Sequence, residues 1–143
     1  MNREPIYTAL FALVSAATGL KTVGRRLKHF EEIGFADQPA LFMVQKSETS
    51  KVTTKMPTVW TLHVDVVLYG TNSGQQSVAP MSSLNPIVDA ISASLLPSAP
   101  TMEEQTLGGL VERCRIEGEI VTDEGSLGDQ AVVVIPVTIL VTE

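Results

Sequence analysis

His63 and Asp65 are the residues best spaced for chemistry. Two apart on an extended segment, they share one side of the strand, as a general base and the carboxylate that orients it would. That reading needs a nucleophile nearby, and spacing indicates none; the simpler reading is a solvated strand face. One cysteine, Cys114, and two histidines in unrelated segments supply no recognisable metal-ligand set. Cys114 alternates with charged neighbours and reads as a small core filler. Gly108-Gly109 lacks the lysine and spacing of a phosphate-binding loop and reads as a turn. No cofactor is expected.

Arg25, Arg26, Lys28 and His29 form the one basic cluster, without interleaved aromatics or a reading helix. It reads most simply as an exposed strand. A DNA-contacting role for Arg25, Arg26 and Lys28 is the alternative, and it would show as salt-dependent affinity for duplex DNA.

The elements that must position these residues follow from periodicity. Ile6, Leu10, Leu13 and Ala17 predict a helix over residues 4–18, closed by Gly19. Residues 22–28 predict a short edge strand, and Ala40 to Val44 a better one. Thr58 to Tyr69 is the clearest strand, with Trp60, Leu62, Val64, Val66 and Leu68 alternating with Thr61, His63, Asp65, Val67 and Tyr69. Residues 46–57, polar and too long for a tight turn, predict a projecting mobile loop. A second polar loop spans residues 71–80. Ser82 or Ser83 is then placed to cap a helix carrying Leu84, Ile87, Val88, Ile91 and Leu95, which Pro97 and Pro100 stop. A closing hairpin follows, with strands over 110–122 and 130–142 and a turn over 123–129. Its return strand is apolar enough for burial on both faces, and Pro136 hints at a bulge or edge.

The sum is one α+β (α/β) domain over residues 1–143. Its sheet is antiparallel or mixed, of about five strands, with both helices on one face. A 44% hydrophobic content suffices for one core, and no run reaches the ~20 apolar residues of a membrane helix. No signal-peptide pattern opens the chain, so a cytoplasmic site of synthesis is expected. The net charge of −6 argues against a general nucleic-acid binder.

That charge is unevenly spread. Residues 1–57 hold eight Lys/Arg against five Asp/Glu (+3), and residues 58–143 hold two against eleven (−9). Lys46, Lys51 and Lys55 mark the polar loop, while Glu112, Glu117 and Glu119 mark the closing hairpin. If those elements occupy opposite flanks, copies of the chain attract head to tail, and such contacts close into rings where the rotation permits. Two unrelated solvated surfaces would give the same counts.

Several segments together resemble the tail terminator, or tail completion, proteins of tailed phages. They are the first helix ending at Gly19, Gln38-Pro39-Ala40-Leu41-Phe42, Trp60 to Val66, Leu84-Asn85-Pro86-Ile87-Val88-Asp89-Ala90-Ile91, Thr106 to Val111 and Ile116 to Ile120. The resemblance spans nearly the whole chain and is one of pattern and order, with no single diagnostic motif. It implies a non-enzymatic virion protein, assembled in the host cytoplasm. Its subunits would form a hexameric ring that caps the head-proximal end of the tail tube, ends tube polymerisation and offers a surface to the head connector. Partners would be further copies, the tube protein and the neck protein, with at most transient contact with genomic DNA. Arg25, Arg26, Lys46, Lys51, Lys55, Glu112, Glu117 and Glu119 are then the candidate interface residues. The alternatives are a neck or head-completion protein and a small hydrolase using His63 and Asp65.

Overall fold

The computed structural model describes residues 1–97 and 103–143. Helix α1 spans Arg3–Ser15 and α2 spans Asn85–Ser94. The strands are β1 (Thr22–Gly24), β2 (Ala40–Lys51), β3 (Val59–Thr71), β4 (Arg113–Ile116), β5 (Val121–Leu127) and β6 (Gln130–Thr142). They form one open mixed sheet in the order β1-β2-β3-β6-β4, and β5 lies end to end with β4 along the same side of β6. Only the β1–β2 pair is parallel. Pro100 lies outside the described residues.

Alternation in β3 sets the two faces. Leu62, Val64, Val66 and Leu68 point to one side, where they meet Ile6, Tyr7, Leu10 and Val14 of α1 and Ile87 and Ile91 of α2 in the main core. Both helices therefore cover the same face, as the apolar spacing predicts. On the other face, Ile33, Ala40, Phe42, Val67 and Tyr69 form a smaller core, roofed by the segment that crosses from β1 to β2. Thr61, His63 and Asp65 continue that face beyond the roof and are partly exposed. In β6 the burial is accordingly one-sided: Ala131, Val133, Ile135, Val137 and Ile139 are buried, whereas Val132 and Val134 only flank the smaller core.

Several sequence expectations are corrected. Helix α1 stops at Ser15, before Gly19, because a tight turn from Ala17 N–H to the Val14 carbonyl (3.4 Å) closes it. Its buried row takes Val14, leaving Leu13 half-exposed. The first edge strand is only three residues long. Neither Ser82 nor Ser83 caps α2, since their hydroxyls donate backward to the carbonyls of Ala79 (2.6 Å) and Pro80 (3.0 Å) in a 3-10 turn.

Residues 46–57 are not one loop, because Lys46–Lys51 belong to β2. Strand β3 supplies backbone partners as far as Val59 opposite Lys51, and a bulge between Gln45 and Glu48 absorbs one extra residue. Residues 52–58 alone make the connection.

The long strand expected over 110–122 is two strands, and the break has a cause in β6. The Pro136 carbonyl accepts from Glu117 N–H (3.2 Å), so the N–H that proline lacks would face the same margin. Pairing stops there, and Gly118 (φ +114°) turns the chain over the proline ring, where a Cβ would lie 3.3 Å from Pro136 Cγ. Proline in a central strand is tolerated because the ladder it interrupts is an edge ladder.

Among the glycines, Gly70 has the closest neighbours, at the approach of β3 to the turn that leads into α2. A Cβ there would meet Leu84 Cγ at 2.5 Å and Ser83 Oγ at 2.9 Å. Gly70→Ala should lower unfolding stability by about 1–3 kcal/mol, the usual cost of overpacking. Combined with Leu84→Ala it should cost less than the sum of the single changes, because the methyl then has space. Denaturant titrations of the four proteins measure this, and strict additivity would refute the contact.

Candidate subunit interface

The sheet order separates the two charge groups. Lys46 and Lys51 lie on β2, near one margin of the sheet, and Lys55 follows in the β2–β3 connection. Glu112, Glu117 and Glu119 lie before, after and beyond β4 on the opposite margin. All six are exposed. Lys46 Nζ lies 3.8 Å from Asp65 Oδ2, and Glu117 accepts from Arg115 Nε at 3.3 Å, which holds its carboxyl below the usual carboxylate range.

Each margin also has unpaired backbone. Strand β1 covers β2 only from Ala40 to Phe42, so the rest of β2 has a neighbour on its β3 side alone. Strand β5 is paired with β6 only. Edges of this kind accept a further strand.

The basic cluster does not stay together. Arg25 pairs with Glu4 of α1 and donates to Gln45 Oε1 (3.2 Å), tying the β1 end to the helix and β2. Arg26 is exposed, and Lys28 is half-buried, its carbonyl accepting from Tyr69 Oη (2.7 Å). Of the three side chains, Arg25 is thus engaged within the fold.

His63 and Asp65 share the open face but make no hydrogen bond with each other among the described residues. Two-residue spacing on a strand sets them about 7 Å apart. His63 lines an open cleft with Thr61, Arg113, Glu117, Thr138 and Leu140, whereas Asp65 faces Lys46. The base-and-carboxylate arrangement is absent. Cys114 is buried in the main core, where desolvation pushes its thiol up to about 12, well outside the range of a nucleophile at neutral pH. Among the described residues no group of three or more His, Cys, Asp and Glu is placed to hold a metal ion, and no helix is long and apolar enough to cross a membrane.

Three features escaped the sequence reading. Glu48, past the β2 bulge, turns toward α1 and accepts from Tyr7 Oη (2.9 Å) and Arg3 Nε (2.7 Å). Val52 and Met56, in the β2–β3 connection, are 76% and 64% exposed, the most of any large apolar residues described. Finally, Ala9, Ala12 and Leu13 of α1, Ala16 at its C-terminal cap, and Gln105, Leu107 and Gly108 line a largely apolar groove of about 340 Å³. A signal for the groove existed, since alanines three and four apart make one helical stripe.

No family model matches the chain, and no curated protein matches it. A solved chain from the "Virion of native gene transfer agent (GTA) particle" is similar, with a TM-score of 0.52 and 10% identity. The match covers 96% of this chain and 92% of that one, so the two share a fold over nearly their whole lengths.

The Tyr7–Glu48–Arg3 contact makes a pH prediction. Burial raises the Tyr7 hydroxyl, and its hydrogen bond to Glu48 raises it further, to about 12. Burial alone would raise the Glu48 carboxyl, but the bonds from Arg3 and Tyr7 outweigh it and hold the group below its ordinary value. Tyr7 thus contributes stability that is present below pH 10 and lost as pH rises through about 12. Glu48 contributes stability that is lost as pH falls through its lowered value. Alkaline titration of tyrosinate absorbance should show neither tyrosine ionising at the ordinary position, because Tyr69 is raised too. Tyr7→Phe should remove the transition near pH 12; a normal titration of Tyr7 would contradict the buried hydrogen bond.

Proposed function

We propose that this chain is a structural virion protein that forms a ring, a hexamer by the resemblance of its segments to tail terminators, at the head-proximal end of a phage tail tube. There it ends tube polymerisation and presents the surface to which the head connector joins. The observation that carries the reading is the placement of opposite charge on opposite margins of one open sheet. A fold shared over nearly its whole length with a chain of a gene transfer agent virion supports the virion setting.

Topology adds a second support. Strands β2, β3 and β6 alternate in direction, and β4 and β5 oppose β6, so β2 runs opposite to β4 and β5. A copy generated by rotation about an axis along the strands brings the basic margin antiparallel to its neighbour's acidic margin. That contact is heterologous and closes when the rotation divides a full turn. A neck protein of related fold would use the same margins and differ in which virion component it meets. The hydrolase reading loses its geometric basis with the separation of His63 from Asp65.

Mass measurement in solution and negative-stain imaging of the purified protein test this, alone and with tail tubes. A closed ring with a central hole, on its own or capping tubes, is expected. Reversing Lys46, Lys51 and Lys55 to Glu should weaken assembly, and adding Glu112→Lys, Glu117→Lys and Glu119→Lys should restore it in part. Raising salt should weaken the wild-type ring, since exposed charges are screened beyond about 3 Å at 1 M. His63→Ala with Asp65→Ala should leave particles intact. A chain that stays monomeric with and without tubes would remove the proposal.

A further inference from the structure

The two unexplained apolar features of the surface are complementary. The β2–β3 connection projects Val52 and Met56 into solvent between Lys51 and Lys55, and no acidic residue occurs from Thr49 to Val64. The groove between α1 and Leu107 is lined mainly by small apolar side chains, with Gln105, and Glu103 and Glu104 immediately precede Gln105 in the chain, Glu104 lying 3.9 Å from Arg115. One element is an apolar point flanked by positive charge, and the other is an apolar recess beside negative charge. Within one subunit the connection joins β2 to β3, whereas the Leu107 wall of the groove leads into β4 on the other margin.

Register sets them at the same height. The β2–β3 connection leaves the sheet at Lys51 opposite Val59, and Val59 faces Thr142 of β6. On the far margin, Arg113 faces Leu140 of β6, and Cys114 N–H donates to the carbonyl of Gln105 (2.7 Å). The wall of the groove is therefore anchored to the far margin within a few residues of the level at which the connection leaves the near one. A neighbour set alongside, with its strands parallel to the sheet axis, brings the two together.

We propose that Val52 and Met56 of one copy seat in the groove between α1 and Leu107 of the next copy, with Lys51 and Lys55 against Glu103 and Glu104. The contact rests on the ring reading and specifies its central apolar anchor. A volume of about 340 Å³ accommodates a few side chains and not an extended segment, so the anchor is the connection's end alone. Anchors of this kind dominate interface energetics, while the surrounding charges set orientation and encounter rate.

Cysteine exchange tests it. Met56→Cys and Ala12→Cys, made in separate chains, mixed under assembly conditions and oxidised, should yield a cross-linked heterodimer. Met56→Cys mixed with Asn72→Cys, which lies at the other end of β3, should not. Equal yields from both mixtures would overturn the proposal. Ala12 is exposed, so Ala12→Trp fills the groove without entering the core. That change, and Val52→Glu with Met56→Glu, should each raise the concentration for half-assembly by at least about tenfold, the equivalent of ~1.4 kcal/mol. Wild-type rings that persist unchanged in these variants would refute the anchor and leave the ring reading standing. Rings that persist but no longer cap tubes would assign the connection to the tube and equally refute the anchor. If wild-type chains never associate, with or without tubes, the ring reading fails and the anchor with it.

Discussion

The pairing of β3 with β6 is the constraint from which the remaining arrangement follows. It runs without a break from Val59 against Thr142 to Thr71 against Gln130, in the middle of the sheet. Because side chains alternate strictly along both strands, this register fixes which residues face α1 and α2 and which face the opposite side. A slip of one residue would turn Leu62, Val64, Val66, Ile135 and Ile139 away from the helices and bring Thr61, His63 and Asp65 beneath them. Burial of that apolar row is the dominant stabilising term, and it leaves the polar row on the opposite side.

Central pairing also decides what the margins can be. With β3 and β6 occupied on both sides, β2 on one flank and β4 and β5 on the other carry the open hydrogen-bonding positions. The basic first part of the chain contributes β2 and the acidic second part contributes β4 and β5, so a polarity along the sequence becomes a polarity across the sheet. Glu48 departs from this division. Its carboxylate, although carried on the basic strand, is engaged by Arg3 and Tyr7 past the bulge, which leaves Asp65 of β3, 3.8 Å from Lys46, as the acidic neighbour of the β2 lysines.

The apolar rhythm of β3 and α2 was legible from the sequence, as was the placement of both helices on one face, because burial on one side of a regular element leaves a periodic trace; β6, apolar almost throughout, showed no such alternation and read as buried on both faces. Lys46 to Lys51 was not. An exposed strand end whose side chains face water shows no hydrophobic alternation, and its pairing is imposed from outside by β3. The split of residues 110–122 was also hidden, since its cause lies in Pro136 on another strand. Pro136 hinted at a bulge or an edge position, but β6 is central and runs through the proline unbroken, and the partner strand breaks instead. Spacing put His63 and Asp65 on one side of a strand and left their pairing open, and the engagement of Arg25 by Glu4 and Gln45 required knowing where α1 docks.

The interruption opposite Pro136 bears on solubility as well as shape. Val132, Val133, Val134 and Ile135 form a run of high β-propensity without charge, the kind of segment that seeds fibrils when its edges are free. Here the run lies between β3 and β5, and β5 places Asp123 and Glu124 beside it. The strand most prone to stack on its own kind is thereby kept from any outer edge, and the margin that does face solvent is short, divided and mixed in charge, with Arg113 and Arg115 on β4 and Asp123 and Glu124 on β5. A short, divided edge of this kind gives an identical edge little length to pair with, so the molecule is guarded against runaway fibre growth by the same break that leaves room for an ordered neighbour.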